Sequence, residues 1–208
     1  MGSMQMTRPR CNTCARPLKT CLCDLVQVVN NTCELLILQH PREEFEAKGT
    51  GRLLHLCLKR SKLVVGEEFG DEALRTLLGA QKTNILLFPP SEDSPLEIQR
   101  LLSASDAMAL NTGKAASGLR LILIDGTWRK ARKMLHLSPL LAALPRLQLS
   151  SRKSHYHIRK AQRAGQLSSL EAGYWALAEM GEAHDELLLS FERFLNRQAI
   201  WREDTHTE

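Results

Sequence analysis

The sequence predicts an α/β fold, a mainly parallel sheet with helices on both faces, over residues 31–208, preceded by a small N-terminal zinc-binding segment over residues 1–30. Three observations carry this prediction. Short apolar runs alternate with amphipathic stretches of helical period. The runs are continuous rather than alternating, as strands covered on both faces are. Four of the six cysteines crowd into one stretch near the N-terminus. With 208 residues, 43% of them hydrophobic, the chain is long enough to bury a sizeable core.

In chain order, CNTCARPLKTCLC comes first. A C-x2-C knuckle followed by C-x-C can set four thiolates, Cys11, Cys14, Cys21 and Cys23, around one tetrahedral zinc ion. A segment this poor in large apolar groups does not fold alone, so the zinc is expected to be structural and to present Arg16 and Lys19. Cys33 and Cys57 fall inside apolar runs and are expected to be buried packing residues. Strands are predicted over CELLILQ (33–39), KLVVG (62–66), NILLFP (84–89), LRLILID (119–125) and PRLQLS (145–150). Helices are predicted over GRLLHLCLKR (51–60), DEALRTLLGA (71–80), TWRKARKMLHL (127–137), LSSLEAGYWALAEMG (167–181) and HDELLLSFERFLNRQAIW (184–201).

Charge is unevenly placed. From Arg120 to Arg163 there are eleven Lys or Arg against one acid, Asp125, whereas from Ala164 onward three bases face nine acids. A basic block inside a folded region suggests a polyanion footprint; the alternative is a surface whose bases pair with the acidic C-terminal helix. The apolar runs are too short to span a bilayer and MGSMQMTRPR lacks the apolar centre of a signal peptide, so the expected location is cytoplasmic, with no membrane partner. The glycine-rich dinucleotide fingerprint, the P-loop, H-E-x-x-H and G-x-S-x-G are all absent from the sequence.

In a parallel sheet, ligands bind beyond the carboxyl ends of the strands. Two predicted strands end informatively. NILLFPP leaves through Phe88 and Pro89, which force an extended exit and present an aromatic ring. LRLILIDGTW ends in Asp125, with Gly126 for a sharp turn, Thr127 as N-cap and Trp128 in the first helical turn. Asp125, alone among basic residues at a strand end, is the first candidate for chemistry.

These residues resemble the DTW-domain family, the tRNA-uridine aminocarboxypropyltransferases, whose Asp-x-Thr-Trp motif stands here as Asp125, Gly126, Thr127 and Trp128. The likeness continues through the cysteine cluster, LQHPREE (38–44), GTGRLLHLCL (49–58), LLFP (86–89) and YHIRKAQRAGQLSSLEA (156–172). Where the family commonly has Ser-Thr before the final Leu-Glu-Ala, this chain has Ser168 and Ser169, which keeps a hydroxyl.

The resemblance implies a fold related to the SPOUT RNA methyltransferases, with a C-terminal knot. It implies S-adenosylmethionine as substrate, bound by Leu87, Phe88, Pro89, Asp125, Gly126, Thr127, Trp128, Ser168, Ser169 and Glu171. The 3-amino-3-carboxypropyl arm would pass to N3 of a tRNA uridine, most often in the variable loop, leaving methylthioadenosine. Asp125 is then the candidate base for the N3 proton. Ser168-x-x-Glu171 is equally a capping box, and both readings stand for that stretch. N3 lies on the pairing edge, so the uridine must be unpaired or flipped. Candidate RNA contacts are Arg129, Lys130, Arg132, Lys133, Arg152, Lys153, Tyr156, Arg159 and Lys160. His40, Arg42, Glu43 and Arg52 are further candidates for the same pocket. A SAM-dependent RNA methyltransferase and a noncatalytic zinc-containing RNA-binding module remain as alternatives, and oligomeric state stays open.

Overall fold

The structure, a computed structural model, describes residues 9–89, 101–103, 105–106, 109, 118–149 and 167–204. Among these residues six strands form one parallel sheet: β1 (Glu34–Gln39), β2 (Ser61–Val65), β3 (Thr83–Leu87), β4 (Leu101–Leu102), β5 (Leu119–Asp125) and β6 (Arg146–Leu147). Their spatial order is β2-β1-β5-β3-β6-β4, which sets β5 between β1 and β3 at the centre. The helices are α1 (Gly51–Cys57), α2 (Asp71–Leu78), α3 (Trp128–Leu137), α4 (Pro139–Ala142), α5 (Ser169–Glu179) and α6 (Asp185–Asp204).

Continuous apolar runs build this sheet because alternate residues of one strand feed opposite layers. Leu35, Ile37, Ile85, Leu87, Leu121 and Leu123 pack beneath α1, α5 and α6, against Leu53, Leu54, Leu170, Tyr174 and Phe194. Leu36, Leu38, Leu86 and Ile122 face the other way, onto Leu74, Met134, Leu135 and Leu141 of α2, α3 and α4. Helices therefore cover both faces, as the sequence predicts. At the amino edge, Glu34 opens β1 by pairing with Arg120 at 2.7 Å and with Lys82.

All five predicted strands and all five predicted helices are present, with shifted ends. The first predicted helix stops at Cys57 because Leu58 turns extended, at φ −103° and ψ 120°, so the chain can enter β2 at Ser61. α2 stops at Leu78, where Gly79 adopts φ 66° and its N–H reaches back to the Arg75 carbonyl, a left-handed cap that suits glycine. β4 is only two residues long and carries no periodicity to detect. PRLQLS is strand only at Arg146 and Leu147.

The N-terminal segment shares the main core. Cys14, Leu22 and Leu25 are buried in the layer beneath α1, α5 and α6. The Gln27 N–H donates to Ser190 Oγ of α6 at 3.0 Å, and Val29 bridges Leu58. Cys33 and Cys57 are buried free thiols, as expected. No helix among the described residues is long and apolar enough to cross a membrane.

Gly173 sets how closely α5 approaches α1: a Cβ there would sit 2.6 Å from Leu54 Cδ2 in a fully packed layer. Gly173→Ala improves helix propensity by about 1 kcal/mol, yet overpacking costs about 1–3 kcal/mol, so a net loss of stability is expected. Urea unfolding midpoints of the two proteins decide this, and a more stable variant would show that Leu54 yields freely.

Candidate active site and metal centre

The register of β1 against β5 pairs Gln39 with Asp125, the last residues of the two strands. Both side chains lie on the face covered by α1 and α5. Gln39 Nε2 donates to Asp125 Oδ2 at 2.7 Å, and the Ser169 hydroxyl, at the first residue of α5, donates to Oδ1. Gly51, the first residue of α1, lies so close that a Cβ there would overlap the carboxylate. Glycine is required at 51 by this approach. Thr50 Oγ1 accepts from the Leu170 N–H at 3.1 Å and ties the start of α1 to the start of α5.

Asp125 is thus only 3% exposed, roofed by these groups rather than open at the sheet rim. Ser169 is its partly exposed partner. The capping box is formed in full: Ser168 Oγ accepts from the Glu171 N–H at 3.3 Å, and the Ser168 N–H donates to Glu171 Oε2 at 2.8 Å. Ser168 and Glu171 are both buried in this way, so within the stretch it is Ser169 that meets Asp125.

On the other face of the sheet, Phe88 meets Trp128 edge to face, with ring centroids 5.4 Å apart. Trp128 is 39% exposed, an indole left at the surface rather than spent on the core. Thr127 caps α3 by accepting from the Lys130 N–H. Leu87 differs from its neighbours: its side chain belongs to the layer beneath α1, α5 and α6. His40 is buried, with Nδ1 accepting from the Arg42 N–H and Nε2 placed 3.0 Å from Glu67. Lys133 and then His40 hold the Glu67 carboxyl below its ordinary range.

The basic block is split by the fold. Arg120 pairs with Glu34 at the amino edge, Lys130 with Glu43 at 2.7 Å, and Lys133 with Glu67 at 2.9 Å. These three members therefore find their acids in the first third of the chain, not in the acidic C-terminal helix. Arg129 and Arg132 are exposed on α3. Arg52 reaches Glu44 only at 3.8 Å. Arg152, Lys153, Tyr156, Arg159 and Lys160 lie outside the described residues.

Sγ atoms of Cys11, Cys14, Cys21 and Cys23 all lie within 4.8 Å of one another, with Cys11–Cys23 at 3.6 Å and Cys14–Cys21 at 3.7 Å. A tetrahedron with metal–sulfur bonds of about 2.3 Å has edges of about 3.8 Å, so four thiolates in this arrangement fit one metal ion. The knuckle turns through Ala15 at φ 56°. Amide N–H groups of Cys14 and Thr13 lower the Cys11 thiol to about 6, while burial first, then its neighbours, raise Cys23 to about 12. Arg16 is not presented to solvent as the sequence suggested. It is buried and donates to the carbonyls of Glu46, Ala47 and Gly49, at 3.0, 2.9 and 2.6 Å.

Comparison with known families matches the DTW domain to residues 8–199. The chain belongs to the DTW domain family. This DTW-domain chain is 32% identical over 200 residues to a Drosophila melanogaster protein named tRNA-uridine aminocarboxypropyltransferase 2, covering 91% of this chain and 73% of the relative. It is 33% identical over 179 residues to the Mus musculus protein of the same name, covering 82% and 56%. An Arabidopsis thaliana protein named tRNA-uridine aminocarboxypropyltransferase A is 28% identical over 142 residues, covering 64% and 53%. The chain thus spans about half to three quarters of the length of these relatives. No solved structure matches it.

Gln39, Thr50 and Gly51 escaped the sequence reading as site residues. Gln39 carried the signal that marked Asp125, a polar residue closing an apolar run. Gly51 had none, because its reason is tertiary. For the cysteine cluster, elemental analysis of the purified chain is expected to find one metal ion per molecule. Cys14→Ser should lower occupancy below half and reduce soluble yield, since Cys14 is also a core residue. Full occupancy in that variant would remove Cys14 from the ligand set.

Proposed function

We propose that this chain transfers the 3-amino-3-carboxypropyl arm of S-adenosylmethionine to N3 of a tRNA uridine, most often in the variable loop, at the rim formed by Asp125, Ser169 and Trp128. The carrying observation is the Ser169–Asp125 hydrogen bond: a partly exposed hydroxyl backed by a buried carboxylate at the family's Asp-x-Thr-Trp motif. The names of the relatives supply the class of reaction.

In this reading the substrate meets Ser169 first. As the N3 nitrogen bonds to the arm carbon attached to sulfur, its proton becomes acidic and passes to Ser169 Oγ, while Ser169 gives its own proton to Asp125 Oδ1. The carbon–sulfur bond breaks with its electron pair on sulfur, and the sulfonium leaves as the neutral thioether methylthioadenosine. Gln39 holds the carboxylate in place throughout. Trp128, exposed beside Phe88, offers a ring face for an extruded uracil. Phe88, Pro89, Gly126 and Thr127 shape the donor side, with Leu87, Ser168 and Glu171 supporting from the core and the α5 cap. Arg129 and Arg132 supply free cations for phosphate, joined by Lys130 and Lys133 once RNA competes for their acids. The same assignment extends to Arg152, Lys153, Tyr156, Arg159 and Lys160. The metal is zinc, residues 1–30 its segment and 31–208 the catalytic unit, SPOUT-like with a C-terminal knot, working in the cytoplasm on tRNA.

Purified protein, S-adenosylmethionine and tRNA together are expected to release methylthioadenosine. S-adenosylhomocysteine would indicate methyl transfer, and neither product with tRNA tightly bound would indicate a binding module. Asp125→Asn and Ser169→Ala should each lower kcat by roughly 10²–10⁴ with tRNA affinity unchanged, the double variant falling little below the worse single. Near-normal turnover of Ser169→Ala would exclude the relay. Separately, converting Arg129 and Arg132 to Ala should weaken tRNA binding and reduce its log–log salt slope by about 2. An unchanged slope would take both off the phosphate path.

A further inference from the structure

Arg146 is a buried cation with no counter-ion among the described residues. It is 2% exposed on β6, level with Leu86 of β3. Its Nη1 donates to the Pro89 carbonyl at 3.1 Å, and its guanidinium stands 5.6 Å from the centre of the Phe88 ring. Nε has no acceptor, and among the described residues no carboxylate pairs with it. Other buried arginines have more acceptors, although the Nε of Arg16 lacks one just as that of Arg146 does. Arg120 has Glu34 and two carbonyls, and Arg16 has three carbonyls. A guanidinium carries five donors in a rigid fork, and burying it unpaired is costly. Such a residue persists where something else completes it.

We infer that Arg146 binds the carboxylate of the donor's 3-amino-3-carboxypropyl arm, which makes it the residue that selects the arm; this rests on the transfer reaction proposed above. Three observations favour a small carboxylate over an RNA phosphate. The guanidinium is 2% exposed, a depth that suits the end of a slender aliphatic arm better than a strand-borne, hydrated phosphate. Phe88 touches both the guanidinium and Trp128, which sets Arg146 one ring away from the Asp-Gly-Thr-Trp turn. The planar fork matches a carboxylate in two parallel hydrogen bonds. β6 lies two strands from β5, roughly 10 Å across the sheet, and Arg146 is level with Ile122, about 10 Å along the strand before Asp125, so the arginine side chain, the arm and the uracil ring must together span the gap. Burial lowers the guanidinium's pKa from its ordinary value without discharging it at neutral pH.

The test compares three compounds by calorimetry: S-adenosylmethionine, its decarboxylated analogue and methylthioadenosine, which lacks the arm. The unmodified protein is expected to bind the full donor roughly 10- to 100-fold more tightly than the decarboxylated one. In Arg146→Met that preference should vanish, while methylthioadenosine affinity stays within about twofold and the thermal midpoint does not fall. Arg146→Lys, which keeps the charge and loses the fork, should retain part of the preference. Equal affinity for the two donors in the unmodified protein overturns the assignment without any variant, as does an intact preference in Arg146→Met. If the unmodified protein binds no donor, the transfer reading fails and this inference with it. Donor binding and arm transfer with no carboxylate preference sink the inference alone.

Discussion

One buried carboxylate fixes the geometry of the rim. Asp125 sits where the carboxyl ends of β1 and β5 meet the amino ends of α1 and α5, and a charge removed from water must be matched by donors. Gln39 and Ser169 supply them, which holds the β1–β5 register and the start of α5 in one relation. Gly51 must then have no side chain, which fixes the approach of α1. Because Gln39, Ser169 and Gly51 converge on two oxygens, the group that the proposed transfer uses for its proton is also the one that locks the scaffold.

That dual role explains what the sequence could and could not reveal. The strands were legible because central parallel strands are apolar on both faces, and LRLILID and CELLILQ show it without alternation. Asp125 was legible as a polar end to such a run. Its surroundings were not: a lone acid after an apolar strand looks like a ligand presented to solvent, and only tertiary structure shows it roofed by Gln39, Gly51 and Ser169. The basic block misled in a related way. One-dimensional charge density assigned a single surface to residues that the fold sends to the amino edge (Arg120), the interior (Arg146), ion pairs (Lys130, Lys133) and the surface (Arg129, Arg132).

The cysteine cluster joins the same constraint through Arg16. Two residues after Cys14, this buried guanidinium gathers the carbonyls of Glu46, Ala47 and Gly49, immediately before Thr50 and Gly51. A metal held by the four thiolates would therefore also organise the turn that delivers α1 to the Asp125 carboxylate. Arg197 of α6 fastens the other end of the segment, donating to the Cys21 carbonyl and to Asp24 at 2.9 Å. A segment so placed acts as a clamp on the site's scaffold.

Under the proposed transfer, regioselectivity would follow from where the protein holds the donor. A sulfonium activates all three of its carbon substituents, so electronics alone do not choose the arm over the methyl. A methyl group offers no handle, whereas the arm ends in an ammonium and a carboxylate. A site that transfers the arm gains by gripping those ends, since grip at the far end fixes the line along which the near carbon is attacked. Arg146 lies on one face of the sheet and Asp125 on the other, and the rim between them carries Phe88, Trp128 and Ser169. In the proposed transfer Arg146 would hold the arm's carboxylate while Ser169 and Asp125 face the incoming N3, so that the reacting carbon lies between grip and base.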